Sequence, residues 1–193
     1  MASSMEFIAR SVADGSTHTT TFTSIPQTFT DILVVGSVYS DHATDGSWDL
    51  AVRPNSQSAS TYYFSQLGVL YSNNSSSARN TYTWGDSAFK MSTIIPSEGS
   101  NLKFPSSYFN LYIANYTDSY GTGNYMNIFG NGGGFSGPRS SPVDTASRQG
   151  GLMICECKVG ATAAMPMTSL YFEISYGNME AGSVITLYGI DAS

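Results

Sequence analysis

The feature that most constrains this chain is the run Phe29–Tyr39, where Ile32, Leu33, Val34, Val35 and Val38 follow one another almost without a polar break. β-Branched residues crowded into so short a segment favour a strand, and apolar residues at both alternating positions read as a strand buried on both faces. Short segments of the same kind recur. His18–Phe22 is Thr-rich and is broken at Ile25-Pro26. After the turn signal Asp45-Gly46, Trp48, Leu50 and Val52 alternate cleanly until Pro54-Asn55. Tyr62–Tyr71 reads as another strand, followed by the polar tract Ser72–Ser77. In Ala88–Ile95, Phe89, Met91 and Thr93 share one face, and Pro96 ends the segment.

Tyr108, Leu111, Tyr112 and Ile113 mark the next strand, and Tyr125–Phe129 the one after it. Gly130–Gly134, with Gly137-Pro138 beyond, reads as a flexible loop. Leu152–Val159, Ser169–Tyr176 and Ser183–Ile190 bring the total to about ten strands with turn signals at short intervals. Ala161–Met167 is short and contains Pro166, so it reads as loop rather than helix. The spacing predicts an all-β fold: a single-domain antiparallel β-sandwich of jelly-roll type over residues 18–193, with residues 1–17 as an N-terminal arm outside the sandwich pattern.

Composition supports strands and narrows the partners. Charged residues are 11% of the 193-residue chain, against roughly 25% in an ordinary soluble domain, and Ser, Thr, Asn, Gly and Tyr take their place. Those residues suit polar, uncharged strand faces and turns, and suit helices poorly. The net charge is −6, and the basic residues are scattered singly from Arg10 to Lys158. Nucleic-acid binding needs a concentrated positive face, so neither nucleic acid nor an acidic membrane surface is an expected partner. Met1–Glu6 has no basic stretch followed by an apolar run, and no stretch nears the ~18 residues that cross a bilayer, so synthesis and folding in a cytosol are expected. Cys155 and Cys157 sit two apart, which on a strand puts both thiols on one face, where a mutual disulfide is strained. Both are expected to be reduced packing residues.

The residue types that carry chemistry point to no reaction. His18 and His42 are the only histidines, and no Gly-x-Ser-x-Gly elbow accompanies the many serines. Asp41, Asp45 and Asp49 recur beside Gly46, but calcium loops want acids at every second position and a distant Glu, so a turn explains them better. A zinc site would need more than Cys155 and Cys157. Gly130–Gly134 lacks the Lys-Ser/Thr and helix of a phosphate loop. No pair among the 14 acids stands out as a glycosidase pair. Neither catalytic, cofactor-binding nor metal residues are expected, and the chain reads as not an enzyme. The 13 tyrosines are the more informative group. Tyr62, Tyr63, Tyr71, Tyr82, Trp84, Tyr116, Tyr120 and Tyr125 lie in or beside turn-rich segments, where they serve core packing, subunit contact or sugar stacking. Asn73, Asn74 and Asn115 each open an Asn-x-Ser/Thr triplet, which reflects composition alone.

Two stretches resemble a family of tailed-phage virion proteins. One is Phe22-Thr-Ser-Ile-Pro-Gln-Thr-Phe-Thr-Asp-Ile-Leu-Val-Val-Gly-Ser-Val-Tyr-Ser-Asp41, continuing to Leu50-Ala-Val-Arg-Pro-Asn55. The other is the C-terminal Glu180-Ala-Gly-Ser-Val-Ile-Thr-Leu-Tyr-Gly-Ile190. They are similar to the opening F-x-S-I-P-x-T-(F/Y)-T and the ending G-S-x-x-x-L-Y-G-I of small phage structural proteins. The chain departs from the family's R-F-N at Arg53-Pro54-Asn55, and its segment from Gly130 to Arg148 is long. The resemblance implies a β-sandwich on the virion exterior and carries over no catalytic residue. The leading expectation is a capsid decoration or cement protein, a homotrimer that braces the head shell by binding the major capsid protein. The alternative is a tail-associated fibre or receptor-binding protein recognising host surface glycans.

Overall fold

In a computed structural model of the chain, residues 4–42, 47–58, 62–72, 75–96, 106–119, 125–135, 149–159 and 165–191 are described. They form twelve strands and, among the described residues, no helix. The strands are β1 (Met5–Val12), β2 (Thr19–Phe22), β3 (Asp31–Ser37), β4 (Ser47–Pro54), β5 (Tyr62–Ser72) and β6 (Ser75–Asp86). They continue with β7 (Phe89–Pro96), β8 (Ser106–Ala114), β9 (Met126–Phe135), β10 (Gln149–Val159), β11 (Leu170–Ile174) and β12 (Val184–Ile190). An eight-stranded sheet has the order β1-β12-β3-β8-β9-β10-β5-β6, and a four-stranded sheet the order β2-β11-β4-β7. Every pairing is antiparallel. The expected antiparallel sandwich is the observed fold.

Eight of the strands pair as one long hairpin folded over itself: β1 with β12 and β3 with β8 in the large sheet, β2 with β11 and β4 with β7 in the small one. The hairpin β5–β6 and the strands β9 and β10 then extend the large sheet beyond β8. The core lies between the sheets and follows the alternation of side chains along each strand. Ile32 and Val34 of β3, Phe109, Leu111 and Ile113 of β8, and Leu50, Phe89, Met91 and Phe172 of the small sheet are all fully buried. Phe172 bridges the layers, with its ring 6.1 Å from Phe22 and 6.2 Å from Phe109. Burial of side chains this size stabilises by about 1.5–3 kcal/mol each, so this aromatic cluster anchors the sandwich.

Three sequence readings give way here. Residues 5–12, expected within an N-terminal arm, form β1 and pair with β12 from Met5↔Ile190 to Val12↔Val184. Exposed residues alternate imperfectly there because the register shifts between Phe7 and Ala9, which hid the strand. Gly130–Gly134, expected as a loop, lies inside β9 and pairs on both sides, Gly130 with Leu111 and with Cys155. Gly132 is a packing requirement: a Cβ there would sit 2.9 Å from the Tyr108 carbonyl oxygen and 3.0 Å from Phe109 Cβ. The tract from Ser75 onward, too polar to suggest a strand, forms β6 against β5. Most of Ala161–Met167 lies outside the described residues.

Asn55, at the end of β4, pins the small sheet to the segment entering β11. It takes a left-handed φ of 50°, a conformation Asn tolerates better than most residues. Its Oδ1 accepts from the Thr168 amide (2.8 Å), the Ser169 amide (3.1 Å) and the Thr168 hydroxyl (3.3 Å), while its Nδ2 donates to the Pro166 carbonyl (2.8 Å). Asn55→Ala removes all of these and keeps an unfavourable φ, so a loss of about 2–3 kcal/mol is expected. Asn55→Asp keeps the acceptor and should lose less. Urea unfolding of the two variants checks this, and an Ala variant as stable as the parent would show that the pin is idle.

Candidate binding face

The two outer faces of the sandwich differ sharply in chemistry. On the four-stranded sheet, the outward positions of β4, β7 and β11 carry Asp49, Arg53, Lys90 and Glu173, which line an open cavity of about 530 Å³ with Ala51, Ser175 and Tyr176. Their charges answer one another. Arg53 Nη1 lies 2.6 Å from Glu173 Oε2, and its Nε donates to the Ser87 carbonyl at 3.1 Å. The guanidinium also stacks 5.2 Å from the Tyr171 ring centre. Lys90 Nζ lies 3.1 Å from Asp86 Oδ2. Burial pushes the Asp86 carboxyl up, but the bonds from Lys90 and Ser87 and the lysine's charge together bring it below the ordinary carboxylate value. This is a solvated face held by mutual pairing.

The outer face of the eight-stranded sheet is the opposite. Strands spaced by about 4.8 Å make it roughly 34 Å across. Among the described residues, every exposed large hydrophobic side chain except Tyr176 belongs to it: Met5, Phe7 and Val12 on β1, Val35 on β3, Tyr108 and Tyr112 on β8, Tyr125 and Phe129 at β9, Ile154 on β10 and Leu67 on β5. The register lines them up across the sheet. One row runs Phe7, Tyr188, Leu33, Tyr112, Phe129, Glu156 and Ser65. The neighbouring row runs Thr186, Val35, Asn110, Asn131, Ile154 and Leu67. Among the described residues, Arg10 on β1, Asp31 at the start of β3, and Glu156 and Lys158 on β10 are the charged side chains that alternation turns outward within these strands. Monomeric surfaces seldom expose contiguous apolar patches beyond a few hundred Å², and larger ones mark interaction sites.

The middle of this face sinks into a shallow trough of about 670 Å³ between Leu33 on β3 and Leu67 on β5, across β8, β9 and β10. The Tyr112 hydroxyl donates to Asp31 Oδ2, and the other Asp31 oxygen accepts from the Asn115 amide at 2.8 Å. That bond to a carboxylate, with some burial and the carboxylate's charge, raises the Tyr112 phenol above its ordinary value, so Tyr112 stays a neutral, fixed ring. Asn110 Nδ2 donates to Asn131 Oδ1 at 3.3 Å across the β8–β9 pair.

The residues singled out from sequence are dispersed. His18 stands at the small-sheet edge, 3.9 Å from Glu173, and His42 packs edge-on against Tyr176 at 5.8 Å. Asp41 accepts from the Asn178 amide at 2.6 Å and its side-chain amide at 3.2 Å, closing a turn, while Asp45 lies outside the described residues. Cys157 is buried in the core, and the Cys155 side chain is outside the described residues. Tyr62 and Tyr116 are core residues whose hydroxyls donate to the Gln57 and Pro26 carbonyls. Burial raises the Tyr116 phenol, with the Asp191 charge adding to it. Tyr63 and Tyr125 meet edge to face at 6.1 Å on the outer face of the large sheet. Tyr120 and the side chains of Tyr71, Tyr82 and Trp84 lie outside the described residues.

The sequence reading passed over Asn110, Phe129, Asn131 and Ile154. Part of the signal is the run Tyr108–Ile113, where Tyr108 and Tyr112 alternate with Phe109, Leu111 and Ile113 and so mark a strand with large side chains on both faces. Neither a protein-family model nor a curated protein sequence matches the chain.

Proposed function

We propose that this chain is a non-enzymatic structural protein of a tailed-phage virion, a decoration or cement protein on a jelly-roll scaffold. It acts as a homo-oligomer, a trimer in the simplest arrangement, and braces the head shell by binding the major capsid protein. The observation that carries the reading is the contrast between the two outer faces: a wide apolar one suited to docking and a charge-paired one suited to solvent. The strand β3 makes the same point, since its sequence is that of a strand covered on both sides, yet Val35 is 38% exposed in the isolated chain. A partner surface supplies the missing cover.

Two further observations support the reading. The nested pairing of β1 with β12, β2 with β11, β3 with β8 and β4 with β7 in a two-sheet antiparallel sandwich supports a jelly-roll reading, a scaffold common among capsid proteins. The stretches Phe22–Asp41 and Glu180–Ile190, which resemble phage virion proteins, contain the end of β2 and all of β3 and β12, and β3 and β12 are neighbours in the large sheet. Bracing demands simultaneous contacts with several capsid subunits, where avidity multiplies modest single-site affinities. Electron microscopy of virions labelled with antibody against this protein tests the proposal. Label spread over the head is expected; label confined to the tail would overturn the decoration role in favour of receptor binding.

A further inference from the structure

We propose that the trough on the outer face of the eight-stranded sheet is a carbohydrate-binding site. The trough lies within the face assigned above to docking, so a chain seated on the shell by that whole face would cover it, and sugar binding is tested on the free protein. Its lining combines two elements that sugars require. The first is an aromatic platform, Tyr112 beside Phe129 in cross-strand register, with Phe129 44% exposed and Tyr112 held by its bond to Asp31. Such rings offer a flat apolar surface to the C–H face of a pyranose at small entropic cost, because they have few rotatable bonds to freeze.

The second element is a polar pair one row away. The bond from Asn110 Nδ2 to Asn131 Oδ1 uses one donor and one acceptor, which leaves Asn110 Oδ1 able to accept and Asn131 Nδ2 able to donate. A donor and an acceptor on neighbouring side chains match sugar hydroxyls, each of which donates one bond and accepts others. Glu156 lies across from Phe129 in register and adds an acceptor at the end of the platform. Gly130 forms part of the floor. Glu156 would repel an anion, which favours a neutral sugar. The trough is open rather than enclosed, which fits a segment of a polysaccharide chain and not a buried monosaccharide.

The test uses the full chain in native affinity electrophoresis through gels containing dextran, yeast mannan, soluble chitin oligosaccharides or soluble starch. At least one of these should retard the protein. Phe129→Ser and Asn131→Ala should each weaken that retardation about tenfold, as expected for loss of one stacking or hydrogen-bonding contact in a weak site. Both positions are exposed, and unchanged mobility in sugar-free gels together with unchanged circular dichroism shows that the variants remain folded. Asn131→Asp, which keeps the size but turns the donor into an acceptor, should also bind more weakly. The proposal is overturned if none of the four glycans retards the parent protein, or if retardation survives the trough substitutions.

Discussion

Gly36→Ala should destabilise the sandwich by about 2–3 kcal/mol, an unusually large effect for adding one methyl group. Gly36 stands opposite Phe109 in the β3–β8 register, and a Cβ built there would come within 2.3 Å of the Phe109 ring. Alanine normally improves a strand over glycine by roughly 0.5–1 kcal/mol, so the expected sign depends on whether the ring can move aside. It has no room to do so. Phe109 is fully buried and its ring is 6.2 Å from that of Phe172, which in turn abuts Phe22. Displacing one ring therefore disturbs the cluster that joins the two sheets. Phe109→Ala alone should cost about 3–5 kcal/mol through the cavity it leaves. The double variant Gly36→Ala, Phe109→Ala should be more stable than the sum of the two single effects allows, by about 1–2 kcal/mol, because the new methyl enters space the ring vacated. Chemical denaturation of the four proteins measures this. Strict additivity would mean that the glycine is dispensable and that the backbone relaxes around the clash.

The same pair shows how far the sequence could be read. Ile32, Val34 and Val38 announce a core strand through β-branching and spacing, and the alternation at Trp48–Val52 and Phe89–Thr93 places the small sheet correctly. What did not show was why glycine interrupts these strands. Gly36 and Gly132 leave room for Phe109 and its neighbours, contacts that join residues far apart in the chain, so a local reading takes glycine for a turn. For that reason a run such as Gly130–Gly134 reads as a loop. The edge strands β1 and β6 were missed for a different reason. An edge has only one neighbour and tolerates polar or irregular sequence, so Ser75–Ser77 and the shifted register at Phe7 carry little periodic signal. The binding face was half legible. Tyrosine abundance pointed to contact surfaces, but the tyrosines named from turn-rich segments include core residues such as Tyr62 and Tyr116. The aligned row of Leu33, Tyr112 and Phe129 exists only once register is known.

The second large effect concerns attachment rather than stability. Phe7→Lys combined with Val35→Lys should leave the isolated protein folded, within about 0.5–1 kcal/mol of the parent, because the two side chains are 63% and 38% exposed and face away from the core. Attachment to virus particles should nevertheless fall by about a hundredfold or more. If the outer face of the large sheet docks on the shell, both ammonium groups are taken out of water with no acid placed to receive them. An uncompensated buried charge costs several kcal/mol, which exceeds what snorkelling of the lysine stems recovers. Phe7 lies on β1, away from the amide pair of the trough, whereas Val35 stands opposite Asn110 in register, so unchanged sugar retention is expected of Phe7→Lys alone. The control is Arg53→Ala with Glu173→Ala on the opposite sheet. It removes a partly exposed ion pair worth about 1 kcal/mol and should not alter attachment. Co-sedimentation of purified protein with particles lacking it separates the outcomes. Loss of binding only in the Phe7, Val35 variant assigns docking to the apolar face. Loss only in the Arg53, Glu173 variant would reverse the orientation of the domain on the virion and leave the apolar face for contacts between copies of the chain.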